Sequence, residues 1–230
     1  LGANAILAVS LAVAKAMAVS EHKPLYAYIG AIVDNTTFAL PMPMLNILNG
    51  GRHAAGSTDI QEFLIVPVGA ENFSSALRLS SEVFHALAKE LADKDYATTV
   101  GDEGGYAPKL KDGTDEALDL IEKAIRRAGY RPGEDVGLAW DVAASELVDG
   151  DGYNFAREDK RFSSQELIHE YEKLAKHYPL LSLEDGLSEN DWMGWHELTQ
   201  ALGAKLQLVG DDLLVTNTKL LARAIAEQSA

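Results

Sequence analysis

Three acids in this sequence stand at the ends of short runs of apolar or small residues. Gly137-Leu138-Ala139-Trp140 leads into Asp141, Leu180-Leu181-Ser182-Leu183 into Glu184 and Asp185, and Leu206-Gln207-Leu208-Val209-Gly210 into Asp211 and Asp212. If these runs are parallel strands, their C-terminal ends open on one face, and Asp141, Glu184 and Asp211 converge there. Carboxylates gathered in this way repel one another unless a cation neutralises them. Oxygen donors without His or Cys select Mg²⁺, Mn²⁺ or Ca²⁺ over zinc. The plainer reading is that each acid caps the helix that follows it. Either suits a single acid; three in succession favour the cation.

Two further acids and one histidine stand out by their surroundings. Glu103 lies in Val100-Gly101-Asp102-Glu103-Gly104-Gly105-Tyr106-Ala107-Pro108, where glycines let the backbone bend tightly and approach a ligand. Glu62 follows Gln61 at the start of a strand-like run, Asp59-Ile60-Gln61-Glu62-Phe63. Two carboxylates beside a cation-bound substrate could supply a general acid, although composition alone equally allows an acidic turn. His53, within Gly50-Gly51-Arg52-His53-Ala54-Ala55-Gly56, sits in a loop that could act as a lid or simply be solvated. His22, His85, His169, His177 and His196 fall on helical stretches and read as surface or core positions.

The elements that must position these residues alternate. An Ala-rich helix from about Asn4 to Val19 is expected to be buried and to end near His22-Lys23-Pro24, with a polar connection over 34–38. Strand candidates follow at Pro41–Leu48 and Ile60–Val68, then a helix carrying Phe73, Leu77, Val83, Phe84, Leu87 and Leu91 at helical spacing. Thr114 can cap a helix ending at Gly129. Beyond it come a strand over Val136–Trp140 and a capping box, Ser163-Ser164-Gln165-Glu166, opening a helix to about Tyr178. A strand over Leu180–Leu183, a helix capped by Ser188 to about Leu202, a strand over Leu206–Val209 and a helix over Thr218–Glu227 complete the order. Strands alternating with helices predict parallel βα units in an α/β fold. A full (β/α)₈ barrel takes about 250 residues, so the chain from Pro41 onward is expected to lack the last units.

Composition sets the bounds. The chain has 230 residues, 47% hydrophobic and 24% charged, and no cysteine, which excludes disulfides and thiolate metal sites. With 20 basic and 35 acidic side chains the net charge is −15, which disfavours nucleic acid as a direct partner and suits a protein that gathers divalent cations. Ala16-Met17-Ala18 has the look of a small-residue cleavage site, but nothing basic precedes Lys15, as a secretory signal would require. The apolar stretch also reads as too short and interrupted to span a membrane.

The segments LGANAILAVSLA, MPMLNILNGG, DIQEF, VGDEGGYAP, LAWDVAASE, LEDGL and LVGDDLLVTN, in this order, resemble the enolase family from end to end, with a bacterial flavour in LEDGL. The resemblance implies an enolase-type TIM barrel of ββαα(βα)₆ order over residues 34–230, incomplete, preceded by a helical remnant of an N-terminal domain over residues 1–33. It implies a cytoplasmic glycolytic lyase that dehydrates 2-phosphoglycerate to phosphoenolpyruvate. A homodimer or higher homo-oligomer and a possible cell-surface or secreted pool belong to the same expectation. It implies Mg²⁺ held by Asp141, Glu184 and Asp211. Glu103 becomes the acid that protonates the leaving 3-hydroxyl with Glu62 beside it, and His53, Gln61 and Glu62 bind substrate. Removal of the proton α to a carboxylate gives an aci-carboxylate dianion, which enolase-superfamily sites stabilise with one or two Mg²⁺ ions beside a Lys or His base. By the same resemblance that Lys and the phosphate-binding residues fall beyond Ala230, so the 230-residue piece alone is expected to be inactive. Trp140 stands where the family usually has Met. Another acid dehydratase of the superfamily, or a non-catalytic docking role, are the rival readings.

Overall fold

The computed structural model describes residues 2–101 and 103–230; Leu1 and Asp102, both inside motifs named above, lie outside the described residues. Two compact units divide the chain, Leu1–Pro41 and Met42–Ala230.

The first unit holds helices α1 (Ala3–Ser20) and α2 (Leu25–Ile32), packed on each other. Pro24 opens α2 with a φ suited to a helix start. Gly30 makes room for Phe38, whose ring meets Tyr26 edge-on with centroids 5.0 Å apart. The expectation of a buried first helix is corrected: of α1 only Ala18 is buried, while Ile6, Leu7, Val9, Val13 and Val19 are exposed. Its apolar residues run around the whole helix instead of forming one stripe, so α2 can cover only part of them. With 18 residues and mean hydropathy 1.7, α1 is long and apolar enough to cross a membrane by length and composition alone, a property it shares with core helices of soluble proteins.

The second unit opens with β1 (Leu45–Asn49) and β2 (Glu62–Val66), followed by α3 (Phe73–Asp93) and α4 (Gly113–Arg127). Then come β3 (Gly137–Asp141), three short strands β4 (Val148–Asp149), β5 (Gly152–Phe155) and β6 (Lys160–Phe162), and helix α5 (Ser164–His177). β7 (Leu180–Glu184), α6 (Trp192–Leu202), β8 (Gln207–Val209), the single turn α7 (Asp211–Leu214) and α8 (Thr218–Glu227) complete it. The main sheet has the order β1-β2-β3-β7-β8, antiparallel across its first two pairs and parallel across its last two. This is the ββαα(βα) order, in an open five-stranded sheet. The hairpins β4-β5-β6 form a second, antiparallel sheet that the sequence reading passed over.

The core lies between sheet and helices. Phe63, Ile65, Leu138, Trp140 and Leu183 from the strands meet Leu87, Leu91, Leu118, Ile121, Tyr171 and Trp195 from the helices. Two helix starts are closed locally by reciprocal boxes, Asn72 with Ser75 for α3 and Ser163 with Glu166 for α5. Two expected caps are corrected. Thr114 lies inside α4, and its N–H donates to the distant Glu158 carboxylate at 3.0 Å. α6 is capped by Asp191, which accepts from the Gly194 N–H at 2.9 Å, rather than by Ser188.

Candidate active site

Strand register brings the acids together. Asn49 pairs with Glu62, Glu62 with Asp141, Asp141 with Glu184, and Glu184 with Val209, two residues before Asp211. Directly paired residues share one face of a sheet, with neighbouring strands about 4.8 Å apart. Glu62, Asp141 and Glu184 therefore stand side by side along the strand ends.

Glu184, Asp185 and Asp211 each offer a carboxylate oxygen within 4.8 Å of the other two. Asp141 falls outside that cluster, although it is the register neighbour of Glu184 and acts on its charge. Asp141 accepts from the Ala143 N–H at 3.0 Å, a bond that turns the chain where Ala143 takes a left-handed φ of +49°. Asp211 starts α7 but makes no side-chain cap bond there. The N–H that opens that turn, from Asp212, goes instead to Asp185 at 3.0 Å.

Burial and mutual repulsion act on the whole row. Burial first, then the charges of Asp212 and Asp211, push Asp141 up to about 6, against the Ala143 bond and His53. Glu184 is pushed up to about 7 by burial and by Asp141, Asp185, Asp211 and Glu62. Burial, followed by the charges of Asp212, Asp141 and Asp211, pushes Asp185 up to about 7, although the Asp212 N–H opposes it. A group of acids that resists ionising is what a hard divalent cation relieves, and every donor in it is oxygen. The row fits such an ion.

At the β2 end, His53, Glu62 and Glu103 bring ligand atoms within 4.8 Å of one another. His53 is half-buried, and its Nδ1 approaches Glu62 Oε1 to 3.2 Å without the alignment of a hydrogen bond. Burial is the main cause that raises the Glu62 carboxyl, followed by the charges of Asp141 and Glu103. The Gln61 carbonyl accepts from the Gly50 N–H at 2.8 Å, and its side chain packs against Gly51. Glu103 is exposed in a tight turn closed by the Gly101 N–H donating to the Gly105 carbonyl at 2.8 Å.

Sequence reasoning missed Asp185, although the doubled acid Glu184-Asp185 was in view. Its inward turn depends on a left-handed φ of +42°, which no spacing rule announces. It also missed Arg157, whose guanidinium donates to the carbonyls of Gly56, Ser57 and Leu110 while its N–H donates to Asp59. That residue ties the His53 loop to the segment after Glu103.

Fold and site together define an α/β protein of ββαα(βα) order whose strand-end acids offer a set of oxygen donors that suits a hard cation. Residues 37–230 match the family described as "Enolase, C-terminal TIM barrel domain". The enolase of Wolinella succinogenes is 52% identical over 228 residues, covering 99% of this chain and 53% of that protein. The chain thus spans about half the length of the curated relative it matches. It belongs to the enolase family.

Proposed function

We propose that the protein carrying this chain catalyses the reversible dehydration of 2-phospho-D-glycerate to phosphoenolpyruvate, with Mg²⁺ as its cation. The observation that supports this most is the in-register row Glu62–Asp141–Glu184, with Asp211 gathered onto Glu184 and Glu103 gathered onto Glu62. Asp141, Glu184 and Asp211 would hold the ion, with Asp185 packed beside them. When bound, the ion supplies positive charge against the negative charge that builds on the substrate carboxylate as its α proton leaves.

The remaining work belongs to the other end of the row. Glu103 protonates the departing 3-hydroxyl, from a turn whose glycines let it reach over the strand ends. Glu62, held toward its protonated state by burial and by its neighbours, stands beside Glu103 and supports that proton transfer. His53 and Gln61 line the substrate pocket. Residues 1–33 would belong to the N-terminal domain and 34–230 to the barrel, in a homodimer or larger homo-oligomer in the cytoplasm.

The test is to offer the intact protein 2-phosphoglycerate and, in parallel, a panel of sugar acids, each with Mg²⁺. Formation of phosphoenolpyruvate alone supports the reading. Dehydration of a sugar acid without turnover of 2-phosphoglycerate overturns it in favour of another dehydratase.

A further inference from the structure

Asn49 has no part in the chemistry above, yet the turn that carries Glu103 rests on it. It is the last residue of β1, it is fully buried, and it pairs directly with Glu62. Its N–H donates to the Tyr106 carbonyl at 2.7 Å, and the Tyr106 N–H donates back to the Ile47 carbonyl at 2.9 Å. These two bonds stitch the outgoing stem of the Glu103 turn to β1.

The side chain goes further. A Cβ built on Gly101 would stand 2.4 Å from Asn49 Nδ2, and one on Gly105 would stand 2.7 Å from Asn49 Oδ1. The carboxamide thus occupies the space that both glycines leave open, one on each side of Glu103. The His53 carbonyl crowds the same spot, 2.9 Å from the Gly101 position. A residue so placed sets the height of the turn above the strand ends, and with it the distance from Glu103 to Glu62 and His53.

We propose that Asn49 is the positioning residue for Glu103, holding the Gly101–Gly105 turn where its carboxyl meets the leaving hydroxyl. This rests on the function proposed above. The amide is kept there although its two polar atoms, like those of the neighbouring Asn46, are buried without a hydrogen-bond partner among the described residues. Groups of that kind are uncommon in folded proteins and call for a reason beyond stability.

The experiment uses the intact protein and follows two rates on 2-phosphoglycerate: exchange of its α proton with solvent, and formation of phosphoenolpyruvate. Asn49→Ala is expected to slow dehydration by about 10²-fold, the scale of an ångström-sized misplacement, with exchange changed by less than about threefold. Gly101→Ala should act in the same sense, because its methyl lifts the turn off the amide. Because a Gly101 methyl would still meet the His53 carbonyl at 2.9 Å, the rescue is made at position 49 itself: Asn49→Leu, close to the amide in size, should regain about tenfold of the dehydration lost in Asn49→Ala. A merely structural role would lower the melting temperature and both rates together. Equal losses of exchange and dehydration in Asn49→Ala overturn the proposal, as does an Asn49→Leu variant that folds but regains none of the lost dehydration. Should Asn49→Ala fail to fold, Gly101→Ala decides: dehydration lost with exchange kept supports the proposal, and equal losses of both overturn it. An unsubstituted protein that forms no phosphoenolpyruvate overturns the functional reading itself, whereas activity with unsplit rates overturns only the role of Asn49.

Discussion

At Asp141, Glu184 and Asp185 burial and neighbouring negative charge push in one direction, to about 6, 7 and 7. A carboxyl whose folded value is raised favours the folded state at low pH, and that contribution is lost as pH rises from its ordinary value through the raised one. The window therefore runs from about pH 4 to about pH 7. A cation replaces those protons, so Mg²⁺ should raise the melting temperature little at about pH 5 and much more at about pH 8. An equal shift at both pH values would detach the row from the ion. Glu103 makes a separate prediction. In the intact protein, Glu103→Gln should lose about 10²–10⁴ in dehydration while retaining exchange of the α proton. Loss of both by the same factor would give Glu103 a part in the first step as well. Asp141, Glu184 and Asp211 could be picked out from the sequence because each follows a strand-like run. Asp185 could not, since a backbone turn decides where its carboxylate goes.

Among the elements, the segment between α3 and α4 carries Glu103 and is closed at its base by one buried side chain. Glu116 accepts from Lys94 Nζ at 2.9 Å and from the Tyr96 hydroxyl at 3.0 Å on one side, and from the N–H groups of Lys111 and Asp112 on the other. These bonds outweigh its burial and hold its carboxyl down to about 2. For a depressed carboxyl the stabilisation is present above the ordinary value and is lost as pH falls through the depressed one, here from about 4.5 to about 2. Glu116→Gln should cost about 1–3 kcal/mol, read by denaturant unfolding of the intact protein. No change in stability would show that the clamp carries nothing. The Ser163-to-Glu166 box was legible because both halves lie within one turn. The start of α4 was not, since Glu158 reaches it from the far side of β3 in the sequence. The strands β4–β6 escaped notice because each has only two to four residues, too few for a period.

At the scale of the whole molecule, the order of the main-sheet strands and the long helices followed from hydrophobic periodicity, whereas the antiparallel first two pairs were in neither that pattern nor the family resemblance. The edges did not follow from either. Among the described residues β1 and β8 each have a single neighbour in the main sheet, and Val215, Leu221 and Ile225 stand exposed beyond β8. Unpaired strand edges beside apolar surface promote self-association. Residues 1–230 expressed alone should therefore scatter light as multimers or aggregates, and a monodisperse monomer would contradict this. The proposed activity depends most directly on the acid row as a cation site. Mg²⁺ titration of phosphoenolpyruvate formation by the intact protein, unsubstituted and as Asp211→Asn, reads that claim. Chelation should abolish turnover, and Asp211→Asn should need at least about tenfold more Mg²⁺ for half-maximal rate, through the loss of one carboxylate ligand from the ion. Turnover that survives chelation, or an unchanged Mg²⁺ requirement in Asp211→Asn, would contradict it.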